Sequence, residues 1–401
     1  MSRPHTLSST ARSVLFAGAA SLGTAFLFAA PTQPIASRAD ASLVTPAPTL
    51  GRWSAAAGQA LIDEITGSAA EGLTPADYQL DTLSAELARS GGGETFDRMA
   101  DAAALKLAHD YLLGAIDNKA AYDWHIDRAD GDPSRLAMQL QQAVASGRIQ
   151  PWLRSLLPSD GRYAALRTAY AETPEVNFVM RGRLRANLER WRWMPRDLGA
   201  DHIYVNVPSY TLQLVENGKP VAEHVVVVGA RATPTPAIGY AAQSVVLNPW
   251  WTPPKSIRVS GKGFVRDGGA LRQPPGPRNA LGRVKIDLPN PHAIYLHDTP
   301  SKQYFEKTSR AYSHGCIRVQ NAEGLAAELV KLDTGSDAAV ERGLKTYATQ
   351  TLKLREARPV WLVYFTADIG PDGKLRMLED PYNRDSRLIA QLDTPVRLAM
   401  R

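Results

Sequence analysis

An α+β fold follows from three features of this 401-residue sequence. From about Ser54 to Met194 apolar residues recur every three or four positions, the period of helices packed on one face. Near His202 the texture changes to alternation, the period of strands. A long Pro- and Gly-dense stretch, 250–291, then interrupts the strands and reads mostly as loop. The expected architecture is a helical N-terminal domain followed by a β-rich, sandwich-like domain.

Helical segments are expected at 54–66, 75–89, 95–116, 134–147, 159–172 and 181–194. Thr74-Pro75 opens the second with a capping hydroxyl and a proline in the first turn. Gly91-Gly92-Gly93 separates it from the third, whose Leu105, Ala108, Leu112 and Ile116 share a face. The last carries Arg181, Arg183, Arg185, Arg190 and Arg192 around a Leu184, Leu188, Trp191 stripe, and reads as a packed helix with a solvated basic face. Among the strands, Ile203, Val205 and Val207 alternate, and 210–215 with 221–228 flank Asn217-Gly218, a two-residue hairpin turn. Further strands are expected at 244–248, 292–297, 359–366 and 374–378, the last two joined by a turn around Pro371-Asp372-Gly373. Helices at 321–331 and 336–346 follow the single cysteine, and no internal repeat is seen.

Composition bounds the class. With 44% hydrophobic and 21% charged residues the chain is an ordinary globular protein. A formal charge of +6 favours anionic surroundings such as wall polymers or lipid headgroups, and is too small to argue for nucleic acid. Arg3 and Arg12 precede an uncharged apolar run from Val14 to Ala30, with small residues at Ala29-Ala30 and Ala36-Ser37, the pattern of an export signal. Retained instead of cleaved, it would tether the protein to a membrane. The expected divisions are 1–30 signal peptide or anchor, 31–52 flexible linker, 53–180 helical domain, 181–380 β-rich domain and 381–401 tail, with the protein exported to the periplasm. Nothing in the sequence indicates an oligomeric state.

Cys316 has no internal partner, although oxidising compartments favour pairs. Its setting, Ser313-His314-Gly315-Cys316-Ile317-Arg318, follows Tyr295-Leu296-His297-Asp298-Thr299. A thiol attacks a carbonyl as thiolate and needs a base or cation beside it. His314 is close in sequence but poorly aimed; His297 ends a strand, which would hold it rigidly. Asp298, or a backbone carbonyl there, could orient the imidazole by accepting from its other nitrogen. Gly315 permits a tight turn, and the N–H groups of Gly315 and Cys316 could receive an oxyanion, each such donor being worth about 3–4 kcal/mol in the transition state. The bland alternative is a buried cysteine beside two structural histidines.

Ser313 to Arg318, with a histidine 19 residues before the cysteine, resembles the signature of the L,D-transpeptidases with a YkuD-type catalytic domain. Asn248-Pro249-Trp250-Trp251-Thr252-Pro253-Pro254, Pro274 to Arg283 and Tyr295 to Pro300 resemble the YcbB-like branch, and the resemblance covers about residues 181–380. It implies a helical scaffold domain before an L,D-transpeptidase catalytic domain, and peptidoglycan stem peptides as partners. Cys316 would be the nucleophile, His297 the general base and acid, Gly315 and Cys316 the oxyanion donors, and His314 a supporting residue. Ser313, Arg318, Tyr295, Trp250, Trp251 and Asn279 would contact substrate, Arg318 either clamping a stem carboxylate or bracing its loop in a salt bridge. The implied reaction joins stems by 3→3 cross-links through a cysteine thioester with loss of D-Ala. It needs no metal or cofactor, and carbapenems would acylate the cysteine. The rivals are an L,D-carboxypeptidase using water as acceptor, a zinc hydrolase built on His297, His314 and Cys316, and a catalytically silent wall-binding scaffold. Two departures stand out: no peptidoglycan-binding module fits between Tyr170 and Arg181, and only 22 residues run from Thr252 to Gln273.

Overall fold

The computed structural model describes residues 50–254, 261, 263–370 and 372–394. The expected signal and most of the linker, residues 255–260 of the long loop, Pro371 of the expected turn and the end of the tail lie outside them.

Seven α-helices open the described chain: α1 Ala55–Gly67, α2 Leu80–Ser90, α3 Glu94–Leu113, α4 Leu136–Ala145, α5 Ile149–Ser155, α6 Gly161–Glu172 and α7 Phe178–Arg192. Ser54 caps α1 by accepting from the Ala57 N–H. The helix expected over 75–89 is broken. Gln79 adopts φ 57°, so Pro75–Tyr78 forms a separate 3-10 turn, and Thr74 makes no side-chain cap but accepts from Arg185. α5 has no counterpart in the sequence reading, because Pro151 near its start disguises a short helix. Leu61, Ile65, Phe96, Ala104, Leu107, Leu140 and Leu153 make the core of this helical part. On α3 the buried face is centred on Ala104, Leu107 and Ala108, leaving Leu105 only half-buried.

The solvated basic face expected of α7 is corrected by the structure. Leu184, Leu188 and Trp191 are buried as expected, but so are Arg190 and Arg192, at 1% and 0% exposure. Arg192 pairs with Glu189 at 2.6 Å and donates to the Glu71 carbonyl, and Arg190 pairs with Asp385 at 2.6 Å. Arg181, Arg183 and Arg185 donate to main-chain carbonyls of Thr173, Thr366 and Gly72. These arginines fasten elements together.

The strands are β1 Trp124–His125, β2 His202–Asn206, β3 Thr211–Glu216, β4 Lys219–Gly229, β5 Ala237–Leu247, β6 Val265–Asp267, β7 Ala270–Arg272, β8 Val284–Asp287, β9 Leu296–His297, β10 Ala311–Ser313, β11 Ile317–Val319, β12 Gln350–Val363, β13 Ala367–Ile369 and β14 Leu375–Met377. Three helices, α8 Ala322–Thr334, α9 Ala338–Leu344 and α10 Asp385–Leu392, complete the described residues, the last within the stretch expected to be a tail. Asn217 and Gly218, at φ 52° and 73°, make the expected hairpin between β3 and β4. The main sheet runs β5-β12-β2-β3-β4-β11-β9-β8, and β8 pairs back onto β5. The two layers of the expected sandwich are thus joined into one closed circuit, without free edges along it. β6 and β7 form a separate small hairpin inside the expected loop.

Three strand expectations shift. Within 292–297 only β9 forms, because Asn290 folds the preceding chain on itself: its Oδ1 accepts from the N–H groups of His292 and Ile294. β12 begins nine residues before the expected 359, in a mostly polar stretch whose short Leu352, Leu354 alternation packs partly buried against the core. The strand expected to reach 366 ends at Val363, and β13 pairs instead with β14. The β-rich core takes in Tyr163, Leu166 and Tyr170 of α6, Trp191 of α7 and Trp124 of β1, which pairs with β5.

Candidate active site

β11 lies parallel to β9, with Ile317 opposite Leu296 and Arg318 opposite His297. Ile317 and Leu296 point into the core at 0% exposure. Alternation therefore turns Cys316 and Arg318, with Tyr295 and His297, to the opposite face of the sheet. The single cysteine and the upstream histidine share a face on neighbouring strands.

His297 is buried, and its Nδ1 hydrogen-bonds the Asp298 carbonyl. With the proton on Nδ1, the Nε2 lone pair is left as the base. The main chain of Asp298 does this orienting. Its carboxylate is committed elsewhere, to Lys302 and, at 2.8 Å, the Arg283 N–H. Gly282, at φ 60°, makes room for it: a Cβ there would meet Asp298 Oδ2 at 2.1 Å. Burial, reinforced by the Arg318 guanidinium, lowers the His297 pKa to about 4, so the imidazole is neutral at pH 7.

Cys316 is half-buried, and its thiol donates to the Ala293 carbonyl at 3.5 Å. Burial raises its pKa; the N–H and hydroxyl of Tyr295 and the charges of Lys285 and Arg318 oppose that rise. The resting pair is thus thiol and neutral imidazole, with a thiolate-stabilising shell in place around the sulfur. Tyr295 stands against both, its ring 5.5 Å from the His297 ring and its hydroxyl near the Trp251 side chain.

The turn before Cys316 is held from both sides. Ser313 Oγ donates to the Cys316 carbonyl at 2.6 Å and accepts from the Gly315 N–H at 3.1 Å. Thr235 Oγ1 donates to the Gly315 carbonyl at 2.7 Å. Gly315 sits at φ 108°, a conformation that penalises any side chain. Two expectations change here. Ser313 braces the turn and is buried, so it does not face substrate. The Gly315 N–H is already engaged by Ser313, which leaves the Cys316 N–H, without a partner among the described residues, as the open oxyanion donor.

Other expected substrate contacts divide similarly. Asn279 is 1% exposed and pins its loop through the carbonyls of Pro249, Gln273 and Pro274. It is structural. Trp250 is exposed under the Arg272 guanidinium, while Trp251 packs on Phe264 and reaches Tyr295. His314 is exposed and makes no hydrogen bond, ion pair or ring contact with His297 or Cys316 among the described residues. Arg318 has no carboxylate partner among the described residues; its Nε is buried and unpaired, and its guanidinium stands 5.9 Å from the Tyr304 ring. The loop-bracing salt bridge is not formed. No group of three or more His, Cys, Asp or Glu side chains among the described residues could hold a metal.

Lys285, Thr235 and Ala293 join the site without having been expected there. Lys285 lies opposite His297 in register, 4.7 Å over the Tyr295 ring. Its signal was present, since Val284-Lys285-Ile286-Asp287 alternates as a strand with Lys285 facing outward. Thr235 and the Ala293 carbonyl act through main-chain geometry that no residue pattern announces.

Residues 200–338 match the family described as L,D-transpeptidase catalytic domain, YkuD, and residues 51–169 match the family described as Scaffold domain. The chain carries a YkuD-type L,D-transpeptidase catalytic domain behind a Scaffold domain. Cys316 and His297 lie within the matched catalytic domain. A Haemophilus influenzae protein named "Putative L,D-transpeptidase" is 28% identical over 285 residues, covering 61% of this chain and 57% of that protein. The chain thus matches little more than half the length of that relative. Among solved structures, an L,D-transpeptidase from Mycobacterium smegmatis covers 41% of this chain and 58% of its own, at 13% identity and TM-score 0.24. A cysteine-to-serine variant of the Enterococcus faecium L,D-transpeptidase covers 41% and 50%, at 13% identity and TM-score 0.21. At such scores these likenesses add nothing to the assignment, which rests on the two domain matches.

Proposed function

We propose that the protein is a periplasmic L,D-transpeptidase that joins peptidoglycan stem peptides by 3→3 cross-links through a thioester on Cys316. One observation carries this reading: Cys316 and a neutral, tautomer-fixed His297 share one face of adjacent parallel strands. The Cys316 sulfur attacks the carbonyl of the third stem residue as its proton passes to His297 Nε2. The carbonyl oxygen becomes an oxyanion on the Cys316 N–H, with the cations of Lys285 and Arg318 nearby. Because burial and Arg318 make the imidazolium a strong acid, it readily protonates the departing D-Ala nitrogen, and the C–N bond breaks to leave a thioester. The side-chain amine of a second stem then attacks, giving its proton to His297. The sulfur leaves, takes that proton back and restores the thiol. Arg318, short of a partner for its buried Nε, is suited to a stem carboxylate.

Incubation of the protein, and of a Cys316→Ala variant, with disaccharide-tetrapeptide tests the reading by mass analysis. A 3→3 dimer from the parent chain alone is expected. A tripeptide monomer instead would assign water as acceptor, and no product would overturn the enzymatic reading.

A further inference from the structure

The loop 230–236, which braces Gly315 through Thr235, also lines a second cavity, of about 350 Å³, that the acyl transfer does not use. Its volume lies within the range of small-ligand sites, about 300–1,000 Å³. Three guanidinium groups and one carboxylate line it: Arg231, Arg384, Arg387 and Asp123. Asp123 stands 3.2 Å from His125 as well as pairing with Arg384, so the one carboxylate is shared.

Arg384 is the central group. Its side chain is nine-tenths buried and lies over the Tyr364 and Tyr382 rings at 4.5 and 4.9 Å. Nη2 pairs with Asp123, while Nη1 is buried without any partner among the described residues. A charged donor removed from water and given no acceptor is costly, and a small turn of the guanidinium would present it to an oxyanion in the cavity. Arg231 is exposed at the rim with no partner among the described residues. Arg387 gives one nitrogen to the Ala121 carbonyl and lies over the Tyr122 ring. Because Asp123 occupies one edge of Arg384, the remaining edge suits a planar carboxylate better than a tetrahedral phosphate wrapped by several donors.

The cavity is wired to the nucleophile. Tyr382 Oη, beneath Arg384, accepts from the Thr235 N–H at 3.1 Å and donates to the Gly229 carbonyl at 2.7 Å. Thr235 in turn holds the Gly315 carbonyl, one residue from Cys316. We propose that this cavity is an anion subsite that takes a carboxylate of a peptidoglycan stem, away from the reacting carbonyl, and gives the catalytic domain a second grip on the polymer. The proposal rests on the acyl-transfer reading above.

Its test is steady-state kinetics on disaccharide-tetrapeptide with Arg231→Gln and Arg384→Gln chains. KM is expected to rise about tenfold in each, with kcat within about twofold, because the lost contact lies outside the chemistry. Arg231→Lys should recover most of the loss. If Arg384→Gln fails to fold, Arg231→Gln, at an exposed position, gives the answer alone. An unchanged KM in Arg231→Gln overturns the proposal. Tighter binding of inorganic phosphate than of tetrapeptide to a Cys316→Ala chain, abolished by Arg231→Gln, would overturn the stem assignment in favour of a phosphate site. Should the parent chain turn over nothing, that failure belongs to the acyl-transfer reading. Direct titration of the Cys316→Ala chain with tetrapeptide then decides: weaker binding on Arg231→Gln supports the subsite, and equal binding overturns it.

Discussion

At His297, burial and the neighbouring Arg318 charge disfavour the imidazolium, while the Asp298 carbonyl favours it less strongly. The unfolded chain takes a proton there near pH 6.5. The folded chain resists until about pH 4. The unfolded state therefore binds more protons across that window, and stability falls as pH drops from about 6.5 toward 4. The loss is about 3 kcal/mol at roughly 1.4 kcal/mol per unit. A urea titration at pH 7 and at pH 4 should show it, and a His297→Ala chain should lack this part of the slope. The same substitution should slow carbapenem acylation of Cys316 by about 10²–10⁴. Acylation by the parent should hold level from about pH 5 to 8 and fall only near pH 4. A rate rising tenfold per pH unit over that range would mean that hydroxide-formed thiolate attacks, with His297 idle.

Among the elements, α7 shows why some of the molecule was legible and some was not. Its Leu184, Leu188 and Trp191 stripe is a local periodicity, and the helix buries it. The fate of its arginines depends in part on partners that folding brings from far along the chain, Asp385 for Arg190 and, beyond the local Glu189, the Glu71 carbonyl for Arg192. Local pattern cannot contain that. The hairpin at Asn217-Gly218 was legible for the same local reason, and the pairing of the Cys316 and His297 segments because their motifs resemble a known signature. Ser313 and Asn279 were misread as substrate contacts because a hydroxyl or amide serves backbone and ligand equally well. Within α7, Glu189 binds Arg192 at 0% exposure for both side chains and also accepts from Trp193 Nε1 and the Ile116 N–H. Glu189→Gln keeps an oxygen for those two donors but strands the Arg192 charge. The expected loss is about 3–5 kcal/mol, read from a denaturant midpoint. A change below about 1 kcal/mol would show that the pair is not isolated from water.

The helical part and the β-rich part are not separable beads. The described residues from Leu50 onward form one compact unit, and arginines stitch its two cores together. Arg196 donates to the carbonyls of Tyr111, Leu112 and Leu156, filling acceptors left open at the ends of α3 and α5. Arg128 bridges from Leu112 to the Arg192 carbonyl at the end of α7. The β-rich core itself needs Trp124, Tyr163, Leu166, Trp191 and Trp193, all upstream of the residue 200 at which the catalytic-domain match begins. Burying each large aromatic side chain is worth roughly 2–3 kcal/mol, comparable together with the whole stability of an ordinary domain. A chain spanning only 200–394 should therefore lack a cooperative transition. It should expose the apolar face that α6 and α7 cover, and bind a hydrophobic dye where residues 50–394 do not. Near-ultraviolet circular dichroism and thermal melts of both pieces check this. A sharp melt from 200–394 would mean that the β circuit closes without the helices, and that the helical part is an attachment and no part of the catalytic core.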